Sequence, residues 1–170
     1  HIDVRVRPAQ ASMMVVHAFI QHCSVLHEDV EALITANDAE LLAQRAKVAS
    51  GEADWFEAYH TYEEIRAWYE DLAAQYPAMT TYIPSVGQTL EGRDQFAFKF
   101  TSERGSSDKL KIYFQCQIHA REWISGATCG YVINELLARY GEQQNVTTLL
   151  DSLEVVVIPI QNPDGYAHIW

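Results

Sequence analysis

Two pairs of side chains in this sequence have the residue types and the spacing of metal ligands. His60 and Glu63 form one pair, and His119 and Glu122 form the other, with the glutamate three residues after the histidine in each. Imidazole nitrogen and carboxylate oxygen both bind zinc, and a catalytic zinc site needs three protein ligands together with an open position. Either pair could supply two of the three ligands, so the surroundings of each pair must distinguish them.

The first pair precedes a predicted helix, and that position explains it without a metal. Thr61 is followed three residues later by Glu64, immediately before an amphipathic run, which is the pattern of a capping box. Glu63 then lies in the first helical turn, where a negative charge interacts favourably with the helix dipole. We therefore interpret His60 and Glu63 as residues of a helix start and not as metal ligands.

The second pair follows the apolar run KIYFQCQI, which predicts a buried strand. His119 and Glu122 would then lie at the carboxyl end of that strand, which is where open α/β sheets bind their ligands. A turn beginning at this edge would bring both side chains to one side, towards one ion. The residues by themselves equally allow a helix start at which Glu122 only favours the dipole.

The elements that must position these residues alternate between helices and strands. TYEEIRAWYEDLAAQYP predicts an amphipathic helix, and MTTYIPSVGQTL and DQFAFKFTS predict the strands of a hairpin joined by EGR. After the buried strand come a helix in WISGATCGYVINELLARYG, a short helix in NVTTLLDSL and a buried strand in EVVVIPI. This order predicts an α/β fold, with a mixed, mostly parallel sheet and helices on both faces.

The beginning of the chain has a different organisation. HIDVRV predicts a strand, AQASMMVVHAFIQHC a helix, and SVLHEDVEALI a short strand or the end of one, so residues 1–36 are expected to form part of a small α+β domain. Residues 37–54 contain strong helix formers between Asn37 and Gly51 and predict a connecting helix and linker. Residues 55–170 would form a second, larger unit.

Composition excludes several classes of function. The 170 residues are 48% hydrophobic and carry a formal net charge of −11, which does not favour nucleic-acid binding. No apolar run approaches the roughly 18–20 residues that are needed to span a bilayer. The chain begins with a histidine, and NPDGYAHIW leads into a further apolar segment, so we expect it to be a piece of a longer protein.

Three longer motifs carry a resemblance to a known family. AYHTYEEI, IHAREWIS and NPDGY occur in the order and with the spacing found in the zinc metallocarboxypeptidases of the pancreatic carboxypeptidase A/B family. The resemblance covers Trp55 to Trp170, the front half of that family's catalytic domain, and includes the hairpin turn EGR. DVRV and HEDVEALI resemble, less specifically, the latter part of the family's activation propeptide. Asn162, Pro163 and Gly165 are interpreted as turn formers.

The resemblance assigns roles to individual residues. It implies that His119 and Glu122 are two ligands of one zinc ion and that Arg121 contacts the peptide substrate. The family's third zinc ligand and its catalytic glutamate would lie beyond residue 170. No catalytic residue is therefore expected within the chain, which should be inactive by itself.

Three cysteines occur in the sequence, and the resemblance implies a disulfide between Cys116 and Cys129. One of these ends the predicted strand and the other lies about two turns into the following helix, so a return contact is feasible. Two free, buried thiols are the alternative. Cys23 has no assigned partner.

The activity that the resemblance implies is zinc-dependent hydrolysis of the C-terminal peptide bond of peptides and proteins. Two alternatives stay open. One is an inactive relative that keeps the zinc ligands, has lost the catalytic glutamate and has a binding or structural role. The other is an amidohydrolase of the same superfold that acts on acylated amino acids. The expected partners are polypeptide C-termini, and the expected location is secreted or extracellular, or else vacuolar or lysosomal.

The resemblance also implies synthesis as a zymogen that a trypsin-like protease activates. Arg45 and Lys47 are the basic residues between Glu28 and Ile65, which makes them candidate cleavage sites in the connecting segment. Asn145 in the motif NVT is a candidate glycosylation site if the protein is secreted, although an asparagine there could equally cap the short helix.

Overall fold

The structure of the chain, a computed structural model, describes residues 6–7, 9–10, 24–105 and 108–170. The chain divides into two compact units, His1–Leu42 and Ala43–Trp170. This division falls within the segment that the sequence predicts to connect two domains. The strand predicted in HIDVRV and the helix predicted after it lie almost wholly outside the described residues.

A long helix, α1, extends over Val30–Ser50. It begins directly after Asp29, whose Oδ1 accepts a hydrogen bond from the backbone N of Ala32 at 3.0 Å and satisfies one of the free donors at the helix start. The prediction of a strand end at this place is therefore wrong, because the capped residues continue into the helix that was predicted further along. The helix ends before Gly51, whose φ of 78° favours glycine.

Besides the last part of α1, the described residues of the larger unit form a short 3-10 helix and four α-helices. They are the 3-10 helix Trp55–Glu57 and the helices α2 Tyr62–Gln75, α3 Trp123–Ala138, α4 Gln144–Ser152 and α5 Pro163–His168. Helix α2 begins with the predicted capping box. Thr61 Oγ1 accepts a hydrogen bond from the Glu64 backbone N at 3.3 Å, and Glu64 Oε2 accepts one from the Thr61 backbone N at 2.8 Å.

Asn145, which the sequence offered as a possible cap of helix α4, does not cap it. Its N-cap residue is Gln143, which makes no capping hydrogen bond through its side chain. Asn145 lies inside the first turn and is exposed, so it does not cap the helix. Its glycosylation stays a prediction.

Four strands form one sheet in the described part of the chain. They are β1 Thr80–Gln88, β2 Asp94–Phe100, β3 Leu110–Gln115 and β4 Leu153–Ile158, in the spatial order β1-β2-β4-β3. β1 pairs with β2 and β2 pairs with β4 in antiparallel orientation, and β3 pairs with β4 in parallel orientation. The mixed sheet is confirmed.

Parallel pairing, which we expected to dominate, occurs in one of the three strand pairs among the described residues. The chain connections explain this. The short EGR turn can join β1 and β2 only as an antiparallel hairpin, whereas helices α3 and α4 carry the chain back from β3 to a parallel β4.

The core of the larger unit lies on one face of this sheet. Phe96, Phe98 and Phe100 alternate along β2 and are each at most 2% exposed, so all three point to this face. Tyr69 of α2 packs on Phe96 and Phe98, with ring centroids 5.4 and 5.1 Å apart. Helices α3 and α4 add further buried residues to the same cluster, namely Ile133, Leu137, Val146 and Leu150. Burying one such side chain contributes about 1.5–3 kcal/mol, so this cluster fixes the helices on the sheet.

The strand residues that point away from this core include charged side chains. Glu154 of β4 lies 3.8 Å from both Lys99 of β2 and Lys111 of β3. β3 forms an edge, because no other described strand pairs with its outer side. Its residues Tyr113 and Phe114 are 56% and 53% exposed. The prediction that this strand is buried is therefore wrong for β3, because among the described residues it ends the sheet and only β4 covers one of its sides.

Candidate metal centre

His119 and Glu122 lie in the turn between the end of β3 and the start of α3. The Glu122 backbone N donates a hydrogen bond to the His119 carbonyl at 3.2 Å, and this turn brings the two side chains to the same side. His119 Nδ1 and Glu122 Oε2 are 3.0 Å apart, and the side chains are 72% and 61% exposed. Two donor atoms of the types that bind zinc therefore face each other, open to solvent, at the carboxyl end of a parallel strand.

Glu122 is also the N-cap residue of α3. Its side chain makes no capping hydrogen bond with the helix, and its backbone has φ −90° and ψ 58°. The carboxylate is directed to His119 Nδ1 and not to the free backbone donors of the helix. An interpretation in which Glu122 serves only the helix start is therefore not supported by a capping contact.

Asn162 ties this turn to the segment that follows β4. Its backbone N donates a hydrogen bond to the Gln117 carbonyl at 3.2 Å, and its Nδ2 donates one to the Ile118 carbonyl at 3.3 Å. Its Oδ1 accepts one from the Gly165 backbone N at 2.9 Å. A β-carbon on Gly165 would lie 2.6 Å from Asn162 Nδ2, so glycine leaves the room for this side chain. The NPDGY motif, interpreted from the sequence only as a turn, thus also holds the segment that leads to His119.

The same motif binds the β1–β2 hairpin. Asp164 accepts hydrogen bonds from Arg93 Nη1 and Thr89 Oγ1 at 2.7 Å each, and from the Glu91 backbone N at 3.2 Å. The hydrogen bonds that Arg93 donates to Glu91 and Asp164 raise the pKa of Arg93. The turn EGR and the motif NPDGY, which are far apart in the sequence, therefore form one polar cluster next to the segment that Asn162 holds.

The first His-x-x-Glu pair does not converge. His60 is 7% exposed, its ring stacks on Trp55 with centroids 3.5 Å apart, and its Nε2 donates a hydrogen bond to the Trp55 carbonyl at 2.8 Å. Burial lowers the pKa of His60, which favours the neutral imidazole. Glu63 is exposed, and the capping box is formed by its neighbours. The interpretation of this pair as helix-start residues is confirmed.

His119 and Glu122 are two side chains of the types that bind zinc, and a catalytic zinc site requires three. Within the part of the chain that the structure describes, no group of three His, Cys, Asp or Glu side chains is placed to hold a metal ion. An imidazole nitrogen and a carboxylate oxygen in contact fit the donor preferences of zinc. A third protein ligand for a zinc ion at this turn would therefore have to come from outside the described residues.

The profile of the zinc carboxypeptidase family (Peptidase_M14) matches residues 65–170, which include β1 to β4 and the turn with His119 and Glu122. The chain belongs to this family. The resemblance that the sequence motifs carry is thereby confirmed, and the family's name fits the two zinc-type donors in the turn.

An individual relative agrees with the family match. Carboxypeptidase A2 of Rattus norvegicus is 34% identical over 167 residues, which are 96% of this chain and 39% of that protein. The chain therefore spans about two fifths of the length of this curated relative. The aligned part extends over residues on the N-terminal side of the family match.

Solved structures show the same fold. The crystal structure of thrombin activatable fibrinolysis inhibitor has a TM-score of 0.69 with 31% identity, over 86% of this chain and 35% of that one. Carboxypeptidase A from Helicoverpa armigera has a TM-score of 0.71 with 25% identity, over 85% of this chain and 35% of that one. The carboxypeptidase fold expected from the sequence is confirmed.

Arg121 lies between the two zinc-type donors in the sequence and is exposed. No described residue accepts a hydrogen bond from its guanidinium, so it is available to a ligand that approaches the turn. Its contact with substrate stays a prediction.

Cys116 follows β3 directly and Cys129 lies in α3, and both are free thiols in the structure. Their side chains are in contact. A hydrogen bond between the two thiols, together with burial, raises the pKa of Cys129, and the same hydrogen bond lowers the pKa of Cys116. The return contact that the sequence made feasible is present, and the disulfide itself stays a prediction.

The two candidate cleavage residues differ in their surroundings. Arg45 Nη2 is 2.8 Å from Glu64 Oε1, and its guanidinium carbon lies 4.9 Å from the centroid of the Trp170 ring. Lys47 is exposed in the last turn of α1. No helix among the described residues is long and apolar enough to cross a membrane.

Proposed function

We propose that the complete protein hydrolyses the C-terminal peptide bond of peptides and proteins, and that His119 and Glu122 are two ligands of the single zinc ion this requires. The observation that carries the proposal is the 3.0 Å approach of His119 Nδ1 and Glu122 Oε2 at the carboxyl end of β3. It is supported by the membership of the chain in a family of zinc carboxypeptidases.

The residues of this chain contribute binding and orientation to that reaction. When bound, zinc supplies Lewis-acid activation of the scissile carbonyl and of a water molecule. His119 would offer its Nδ1 to the metal, and Glu122 would offer the carboxylate oxygen that lies 3.0 Å from it. Arg121 is exposed on the same turn and would donate hydrogen bonds to a carbonyl of the peptide substrate. The general base and the third ligand of the proposed reaction would come from outside the residues that the structure describes.

We also propose that the protein is secreted, or delivered to a vacuole or lysosome, as a zymogen. Removal of the N-terminal part by a trypsin-like protease at Arg45 or Lys47 would activate it. The relation to carboxypeptidase A2 of the rat, which extends over 96% of the chain, supports a common organisation that includes residues before the family match. On the secretory route the exposed Asn145 would be available for glycosylation.

The test replaces the proposed ligands in the complete protein and measures two quantities. His119→Ala and Glu122→Gln are expected to lose bound zinc, measured by atomic absorption after dialysis. They should also lose hydrolysis of an acylated dipeptide with a free C-terminus by about 100-fold or more, because the metal-dependent step is disabled. Glu63→Gln is the matched control, since Glu63 belongs to the other His-x-x-Glu pair and is exposed.

A second arm tests Arg121. Arg121→Met is expected to raise KM and lower kcat/KM for the dipeptide while zinc content stays at the level of the unchanged protein. Arg139→Met is its control, because Arg139 lies beyond the other end of α3 and pairs with Glu135. Substrates with an amidated C-terminus should not be cleaved.

The outcomes separate the alternatives. Zinc content that survives both ligand substitutions would overturn the assignment of His119 and Glu122. Zinc that depends on both residues, without hydrolysis of any peptide, would instead identify an inactive member of the family.

A further inference from the structure

Gln117, two residues before His119, has an unusual backbone and an unusual degree of burial. It is 1% exposed although Ile118 and His119 after it are accessible. Its φ is 53°, and among the described residues it is the only non-glycine residue with a positive φ. Side chains other than glycine adopt this left-handed conformation when their surroundings fix it.

The side-chain amide of Gln117 binds the turn that follows it. Its Nε2 donates hydrogen bonds to the His119 carbonyl at 3.2 Å and to the Ala120 carbonyl at 2.9 Å. Its Oε1 accepts one from the Gly126 backbone N at 3.0 Å. Glutamine is the side chain of this length that combines two donors with an acceptor, and each of them has a backbone partner here.

The first turns of α3 hold both the main chain and the side chain of this residue. The Gln117 backbone N donates a hydrogen bond to Ser125 Oγ at 3.1 Å. A β-carbon on Gly126 would lie 3.0 Å from Gln117 Oε1 and 2.9 Å from Ile160 Cδ1, so glycine leaves the space that the amide occupies. Strand end, turn and helix start are thus joined through one buried amide.

We propose that Gln117 is a positioning residue that holds the turn of His119 and Glu122 in the geometry that receives the metal. The proposal rests on the proposed function, in which these two residues are zinc ligands. Both ligand side chains are mostly exposed, so packing does little to orient them and their direction depends on the main chain of the turn. Gln117 binds two carbonyls of that main chain, and groups that orient metal ligands in this way alter metal affinity by about 10–100-fold.

The test uses the complete protein that contains this chain. Gln117→Glu keeps the size and the acceptor but places carboxylate oxygen against two carbonyl oxygens. Gln117→Gly suits the left-handed backbone and removes the amide. Gln115→Glu is the matched control, because Gln115 is exposed at the end of β3. The dissociation constant of zinc is measured by competition with a chromogenic chelator, and the absorption spectrum of the Co²⁺-substituted protein reports the geometry of the ligands.

Both Gln117 variants are expected to bind zinc about 10-fold more weakly or worse and to change the Co²⁺ spectrum, whereas Gln115→Glu should match the unchanged protein. Unchanged zinc affinity in the Gln117 variants would overturn the proposal. It would also be overturned if the Co²⁺ spectrum stayed unchanged and zinc affinity fell only in proportion to the fraction of unfolded protein. If Gln117→Glu does not fold, the zinc affinity and the Co²⁺ spectrum of Gln117→Gly alone test the proposal.

The two proposals fail in distinguishable ways. Zinc binding that requires His119 but is indifferent to Gln117 overturns only the positioning role. Zinc binding that is indifferent to His119 and Glu122 overturns both the proposed ligands and the role of Gln117.

Discussion

His60 and His119 have the same residue type and the same Glu three positions later, yet their environments give them different chemistry. His60 is buried against Trp55, its Nε2 donates a hydrogen bond to a backbone carbonyl, and its Nδ1 lies 3.8 Å from Oε2 of Glu64, a residue of the capping box. His119 is 72% exposed and its Nδ1 faces Glu122. Accessibility and the direction of the donor atoms distinguish the two pairs, and both follow from where the surrounding elements begin and end.

The contact between Cys116 and Cys129 leads to a prediction about oxidation. In an oxidising compartment we expect a disulfide, because the thiols already touch in the reduced structure. The bond would close a short loop and stabilise the protein by about 3 kcal/mol in the chain-entropy estimate. The measurement is alkylation of the denatured but unreduced complete protein, followed by mass spectrometry.

Cys23 is the internal reference for that measurement, since it has no assigned partner. Modification of Cys116 and Cys129 to the same extent as in the reduced protein would refute the bond. A Cys116→Ser, Cys129→Ser double variant should lose the stabilisation and become insensitive to reductant.

The sequence could predict that a turn after the strand would bring His119 and Glu122 to one side, because they are three residues apart. It left a simple helix start equally open, and it wrongly predicted that the strand is buried. It could not select Gln117. The role of that residue depends on its left-handed backbone conformation and on its hydrogen bonds with Ser125 and Gly126. The spacing of polar residues in the sequence predicts neither the conformation nor these hydrogen bonds. A glutamine between two apolar positions just before a ligand was the signal available.

At the scale of elements, α1 has surroundings that change along its length. Its last turns carry Arg45, which is bound to Glu64 and stacked over Trp170, and then Lys47, which is exposed. The helix ends three residues later, before Gly51. A terminal turn unfolds more readily than the turns before it, so the two basic residues are not equivalent as protease sites.

Limited trypsin treatment of the complete protein is therefore expected to cut first after Lys47, and later after Arg45. Lys47→Gln should delay the release of peptidase activity, whereas Arg45→Gln should not delay it. Sequencing of the new N-terminus and a parallel activity assay follow the reaction. A first cut after Arg93 or Arg104, or full activity of the uncut protein, would contradict both this order and the zymogen proposal.

Most elements of the larger unit were predictable, because their periodicities are long and bounded by clear signals such as the capping box at Thr61. The start of α1 was not. The apolar residues Val30, Leu33 and Ile34 are compatible with a strand end. The hydrogen bond from the Ala32 backbone N to the Asp29 side chain instead stabilises the start of a helix. The prevalence of antiparallel pairs was also missed, since the place of β4 between β2 and β3 depends on contacts distant in the sequence.

For the whole molecule, the accessible edge at β3 predicts how this chain behaves when it is expressed by itself. An unpaired strand with exposed apolar side chains is a template for pairing with another copy. We expect the 170-residue chain to self-associate at concentrations on the order of 100 μM, measured by sedimentation velocity. Phe114→Lys should weaken the association, because it places a charge on this strand.

Leu90→Lys is the control, since Leu90 is fully exposed in the hairpin loop and distant in the sheet from β3. Equal effects of the two substitutions, or a chain that stays monomeric over the whole range, would show that β3 is not the site of association. In the longer protein we expect β3 to be covered. Phe114→Lys should then lower the free energy of unfolding more than Leu90→Lys does.

The order β1-β2-β4-β3 also has a consequence for synthesis on the ribosome. β1 and β2 are neighbours in the chain and can pair early, but β3 has no described partner until β4 has emerged. During that interval the edges of β2 and β3 that β4 will occupy are open, and a nascent chain in this state exposes surface that chaperones recognise. The Asn162 contacts form later still, because that residue follows β4. The turn that carries His119 is therefore among the first parts of the centre to be translated and among the last to be fixed in place.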